Sequence, residues 1–222
     1  MPESERLPIF PLSNVVVFPR VRCPLHIFEP RYRQMTLHAI ESDRRIGMAT
    51  VLPEHVGEMA GDPPVFQIGC AGTIAEHQLL PDGRFNLVLV GTQRFRICRE
   101  PERSGERLYR VAEVQFLADP FDASDAGRIL ELRSKVIALA HELVSEIAPG
   151  RAAAFASERL TSVDDAVLVN ALCNALPFPA PEKQGLLESA GVLERYEKLE
   201  GLLCFRLAEL GMGALPDSQR LH

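Results

Sequence analysis

The eighteen residues from Leu7 to Pro24, LPIFPLSNVVVFPRVRCP, contain four prolines, at Pro8, Pro11, Pro19 and Pro24. Each proline fixes φ and removes a backbone donor. Neither a long helix nor an ordinary central-strand ladder is expected to run through such a segment. The residues between are apolar and β-branched, and Val15-Val16-Val17-Phe18 predicts a short buried strand. The segment is therefore expected to form short extended pieces joined at sharp corners. That suits the first strands of a small, strongly bent barrel.

With 222 residues, the chain allows one large domain or two small ones. It is long enough to bury roughly 70% of its unfolded surface without staples. Its net charge of −6 argues against a dedicated nucleic-acid binder, whose affinity comes mostly from neutralising phosphates. Arg20, Arg22, Arg31 and Arg33 lie close together in sequence, as do Arg94, Arg96 and Arg99. Both sets read as decoration of strand and helix surfaces. Cys23, Cys70, Cys98, Cys173 and Cys204 are odd in number, scattered, and without a C-x-x-C spacing, which fits neither a zinc framework nor a disulfide scaffold. Apolar neighbours around each predict buried thiols in a reducing cytoplasm. The start, MPESERLP, has no apolar core of a signal peptide, and no apolar run is long enough to span a membrane.

The pattern changes near residue 120. Before it, apolar segments are short and turn signals frequent. Strands are expected at Val15–Phe18, Cys23–Phe28, Arg45–Val51, Val65–Glu76, Phe85–Val90, Arg94–Cys98 and Arg110–Phe116. Glu29-Pro30 opens an early helix over about Arg31–Ser42, with Tyr32, Met35 (or Thr36) and Ala39-Ile40 on one face. Glu54–Pro64 reads as a mobile loop, and Glu100–Glu106 as a polar one. Pro81-Asp82-Gly83 is a tight-turn signal, and Gly91 marks a bulge or bend. The fold class is α+β: a closed or nearly closed mixed β-barrel over residues 1–119, then a helical bundle over 120–222. In the second part, Ile129, Leu132, Val136, Leu139, Leu143 and Ile147 form one stripe of a helix over Asp125–Ala148. Ser162-x-x-Asp165 predicts the next helix start, with Ser162 as cap. A short helix from Pro181 to about Ser189 and a long one over Val192–Leu210 complete the bundle, with a small extra turn near Phe155.

Several motifs then stand in a fixed order: LPIFPLSNVVVFP (7–19), PL-x-IFE-x-RY (24–32), IGCAGTIA (68–75), LPDGRFNLVLVGTQRFRI (80–97) and AEV (112–114). In this order the chain resembles the amino-terminal, substrate-engaging domain of Lon ATP-dependent proteases. Leu176-Pro177-Phe178, Glu182-Lys183-Gln184, Leu187-Glu188 and Glu194-Arg195 extend the resemblance into the helical half. It covers about residues 6–210. It implies a PUA-like β-barrel followed by a helical bundle, and binding of protein substrates. There is no G-x-x-x-x-G-K-[ST] loop to cradle nucleotide phosphates. Ser134 and Lys135 are adjacent on a helix and point to different faces, so they make no nucleophile–base pair. The expectation is a stand-alone substrate-binding-domain protein without the ATPase and peptidase modules. It is expected to be non-enzymatic, to need no cofactor, and to be cytoplasmic.

No catalytic or metal-binding constellation is evident. His26, His38, His55, His77, His141 and His222 lack ligand spacing. A reactive thiolate at Cys23, beside Arg22, competes with a packed strand cysteine. Glu29 and Arg31 read as a helix-end charge arrangement. What remains is apolar surface. Phe18, Pro19 and Val21 are expected at a strand-to-strand corner, and Leu79 and Leu80 at a hairpin tip. The last two either form an exposed patch for apolar peptide segments or pack under the turn. Together these five are the candidate peptide-binding residues. The expected partners are unfolded or apolar peptide segments, or one protein partner, with neither membrane nor nucleic acid. The other function considered is a small-molecule- or RNA-binding PUA-like module. Oligomeric state is left open.

Overall fold

The computed structural model describes residues 5–102, 105–155, 160 and 162–213. Met1–Ser4, Arg103-Ser104 of the expected polar loop and His222 lie outside the described residues. The chain forms two compact units. One takes the chain up to Asp119 together with Cys173–Glu188; the other takes Pro120–Leu172 together with Ser189 onward.

The first unit is built on six strands: β1 (Glu5–Leu12), β2 (Arg22–Ile27), β3 (Arg45–Thr50), β4 (Ile68–Leu79), β5 (Phe85–Arg99) and β6 (Arg110–Phe116). Helix α1 (Pro30–Ile40) lies between β2 and β3 in the chain, with Pro30 in its first turn and Tyr32, Met35, Thr36 and Ala39 buried. The sheet order is β2-β5-β4-β3-β1-β6, and β6 also pairs with β5. Only β1 and β3 run parallel.

Of the closed or nearly closed barrel expected, the six strands do not make a fully closed one. β2 stands at an edge, paired with β5 alone, while β6 pairs with both β1 and β5. The length and bending of β5 explain this. At fifteen residues it serves β2 with its first half and β6 with its second. The two segments expected there, Phe85–Val90 and Arg94–Cys98, are one strand. Extra residues kink the ladders: Thr92 on β5 opposite Ala71-Gly72, Ala75 on β4, and Cys98 on β5. Each bulge bends its strand and increases the local twist. The Thr92 Oγ1 donates to the Ala71 carbonyl at 3.0 Å, which fixes the first of them.

β1 carries Pro8 and Pro11 inside a ladder. Residues 5–9 pair with β6 and residues 9–12 with β3, so each proline lies where the register uses one edge of the strand. Val15–Phe18, expected as a strand, is irregular, although Val16, Val17 and Phe18 are buried. Apolar burial was legible there, but the ladder partner was not. Leu7, Ile9, Ala49, Ala71, Phe95, Ala112 and Val114 form one core cluster, with Val65, Ile97 and Phe116 packed against it. The Glu54–Pro64 segment, expected as a mobile loop, begins within a 3-10 turn (Pro53–Glu58). Arginines hold its far end: Arg31 donates to the Met59 and Gly61 carbonyls, and Arg110 to the Pro63 carbonyl.

The remaining helices are α2 (Ala126–Ile147), α3 (Asp165–Ala175), α4 (Ala180–Leu187) and α5 (Val192–Gly213). On α2, Ile129, Leu132, Val136 and Leu143 are buried as the stripe predicts, joined by Ile137, Ala140 and Val144, while Leu139 is half-buried and Ile147 is exposed. The cap of α3 is Asp164 rather than Ser162. Its carboxylate accepts from the Ala166 and Val167 amides at 3.0 and 3.1 Å. A 3-10 segment, Pro149–Phe155, supplies the turn expected near Phe155. In the second unit, α2 packs on α5, and buried Arg195 donates to Asn170 Oδ1 at 2.9 Å. Residues 173–188 return to the first unit, where Gln184 Nε2 donates to the Ile68 carbonyl at 2.9 Å. Among the described residues, no helix is long and apolar enough to cross a membrane.

Candidate functional site

Gly91 determines what happens at the proline corner. Its amide donates to the Val21 carbonyl at 2.9 Å, and its carbonyl accepts from the Arg20 amide at 2.8 Å. A Cβ added at Gly91 would lie 2.1 Å from the Phe18 carbonyl oxygen, so the approach is open to glycine alone. Arg20 turns the corner with φ +66°. The corner is thus drawn onto the sheet. Phe18 is fully buried, and Pro19 and Val21 are buried with it. These three candidate residues belong to the core and present little side-chain surface.

The hairpin tip differs. Gly83 takes φ +79°, as the Pro81-Asp82-Gly83 signal predicts. The Leu80 amide donates to the Arg84 carbonyl, and the Gly83 amide donates to the Leu80 carbonyl. Asp82 pairs with Arg84 at 2.5 Å. That hydrogen-bonded guanidinium holds the Asp82 carboxyl well below its ordinary range, at about 2, so the pair stays charged through neutral and mildly acidic conditions. Leu79 is 61% exposed, whereas Leu80 is half-buried. Of the two residues, Leu79 is therefore exposed and Leu80 partly packed.

The corner and the tip do not form one site. The corner sits at Gly91 and Leu79 pairs with Phe85, six residues along β5 and so about 20 Å apart. Between them lies an open trough of about 490 Å³ on the face of β2, β5 and β4. Pro24, Leu25 and Val88 supply apolar surface, and Glu76, Gln78, His26 and Asn86 supply polar groups. Arg22 and Glu76 form an ion pair across its upper end at 2.5 Å. At the lower end His26 Nδ1 lies 2.7 Å from Asn86 Oδ1, and the His26 ring stacks on Phe28 at 6.3 Å between centroids. Phe28 is 60% exposed.

Phe28 and the trough were absent from the residues singled out by sequence. The signal was present: Arg22, Pro24 and His26 alternate outward along β2, and Phe28 is the next position of that period. Cys23 is half-buried, and burial pushes its thiol up from the ordinary value, the opposite of what a reactive thiolate needs. Glu29 and Arg31 pair at 2.9 Å, in keeping with a helix-end arrangement. Among the described residues no three His, Cys, Asp or Glu side chains group as a metal site.

Comparison with known proteins follows from this geometry. The family model of the ATP-dependent protease La (LON) substrate-binding domain matches residues 6–204. The Lon protease of Escherichia coli strain K12 is 27% identical over 209 residues, covering 90% of this chain and 25% of that protein. The Lon protease of Azorhizobium caulinodans is 25% identical over 208 residues, covering 90% of this chain and 22% of that protein. The chain thus spans about a quarter of the length of the curated relatives it matches. Among solved structures, the N-terminal domain of Mycobacterium avium complex Lon protease superposes with a TM-score of 0.67 at 19% identity, covering 90% of this chain and 98% of that one. A Lon N-terminal domain protein from Xanthomonas campestris gives 0.59 at 22% identity, covering 89% and 98%. Both share the fold.

Proposed function

Because the chain belongs to the family of Lon substrate-binding domains, we propose that it recognises protein clients in quality control by holding extended, apolar segments, without catalysing a reaction itself. The binding face is the trough of β2, β5 and β4 together with the hairpin tip. The observation that carries this is Phe28, a large apolar side chain exposed at the next outward position of β2 past the trough, with Leu79 also exposed at the hairpin tip. Phe28 follows Ile27, which is anchored in the core, and Leu79 lies opposite the core residue Phe85 at the end of β4. A rigid sheet can present such residues without burying them, and exposed apolar surface of this kind marks interaction sites. The trough is shallow and has no deep aromatic anchor, so single segments bind with micromolar affinity or weaker.

Fluorescence anisotropy of labelled β-casein, an unstructured apolar client, tests this. Removing two exposed apolar anchors costs about 1.4 kcal/mol or more, a factor of about ten. Phe28→Asp with Leu79→Asp is therefore expected to weaken casein binding at least tenfold and to leave the melting temperature within about 2 °C, since neither side chain is buried. Unchanged affinity in a folded double variant excludes this face as the client site.

A further inference from the structure

The tip end of the trough is cationic on a chain whose net charge is −6. The Arg33 guanidinium, reaching from α1, lies against Gly83: a Cβ there would meet its Nη2 at 2.1 Å. Arg84 pairs with Asp82, and its Nη1 stands 3.4 Å from His26 Nε2. Two guanidinium groups and one carboxylate thus stand at the hairpin tip, and His26, next to Arg84, stacks on exposed Phe28. At the other end Arg22 is balanced by Glu76, and Arg20 stands exposed at the corner. Across the face, four arginines meet two carboxylates.

We propose that the segment taken by this face carries acidic residues next to its apolar ones. The apolar side chain lies against Phe28 and the trough. A neighbouring Asp or Glu pairs with Arg33 and Arg84. Guanidinium groups suit this because their planar fork holds a carboxylate through two parallel hydrogen bonds. The proposal rests on the client-binding function above and adds to it a preference among clients. The same surface disfavours apolar segments flanked by Lys or Arg, because like charge at a docking face suppresses wrong partners.

Two labelled peptides test it, each with the same apolar heptad, one flanked by Glu and one by Lys, measured by anisotropy alongside β-casein. Two exposed ion pairs of ordinary strength give the Glu-flanked peptide an advantage of about fivefold in 50 mM salt. Screening is expected to reduce this below about twofold in 500 mM salt. Arg33→Gln with Arg84→Gln removes the advantage and leaves the Lys-flanked peptide no weaker. Equal binding of the two peptides while casein still binds overturns the charge preference alone. Failure of casein and both peptides overturns the client-binding function with it. A single-stranded oligouridylate that binds more tightly than the Glu-flanked peptide in the same buffer also overturns the proposal, in favour of a phosphate backbone as the natural anion.

Discussion

Gly91→Ala lowers the unfolding midpoint by about 10 °C. The added Cβ would stand 2.1 Å from the Phe18 carbonyl oxygen, 2.9 Å from its carbon and 3.2 Å from Val17 Cγ1. Two of those atoms are backbone, so no flexible side-chain end can swing aside. The corner must lift, and the hydrogen bonds between Gly91 and residues Arg20 and Val21 are lost. Overpacking of about 2 kcal/mol and two hydrogen bonds at about 1 kcal/mol each give about 4 kcal/mol. At roughly 2–4 °C per kcal/mol for a chain of this size, the shift is about 10 °C. Gly127→Ala on α2 is the matched control. Nothing lies within 4 Å of its added Cβ, and alanine is the better helix former, so its midpoint stays level or rises. Equal midpoints for the two variants in a thermal melt followed by circular dichroism contradict the packing described for the corner.

The second large effect belongs to Arg94. It is 3% exposed and donates to the carbonyls of Leu187 and Ala118, each at 3.0 Å, and to Asp119 Oδ1 at 3.2 Å. One side chain thereby ties β5 to the end of α4 and to the end of the leading segment, all within the first unit. Arg94→Met keeps most of the aliphatic volume but strips the donors from two carbonyls and a carboxylate. Orphaned buried acceptors and a broken partly buried ion pair cost about 3 kcal/mol. The urea midpoint of the sheet unit falls accordingly, while Arg94→Lys, with a point charge in place of a fork, recovers less than half of the loss. A methionine variant within about 0.5 kcal/mol of the parent rules out this tie as a main support.

These two residues also mark what was legible in sequence and what was not. The stripe on α2 was readable because helical periodicity depends on the helix alone: Ile129, Leu132, Val136 and Leu143 all face inward. Gly83 was readable because a tight turn needs positive φ locally. Strand identity at Val15–Phe18 was not, because an apolar run is buried equally well as a ladder or as an irregular corner. The bulges at Ala75, Thr92 and Cys98 depend on which strand lies opposite, which no local pattern encodes. The roles of Arg94 and Gly91 depend on partners 24 to 93 and about 70 residues away.

The same distinction runs through the proposed binding face. Leu79 was singled out because an apolar residue beside a polar turn is locally anomalous, with exposure and packing under the turn both left open. Phe18, Pro19 and Val21 were placed at a corner correctly, but their burial follows from Gly91, far along the chain. Phe28 continues the outward period of β2 past the strand end, and Glu29-Pro30 masked it as the start of a helix. The cationic rim required the tertiary fold, since Arg33 reaches the hairpin turn at Gly83 from α1, about fifty residues earlier in the chain.

Amide hydrogen exchange with and without saturating β-casein is the most direct measurement of where clients bind. Slower exchange is expected in peptides covering 22–28 and 76–88, because those segments carry the trough, Phe28, Leu79 and the tip. Protection confined to 120–172 and 189–213, with 22–28 and 76–88 unchanged, contradicts the placement of client binding on the β2, β5 and β4 face.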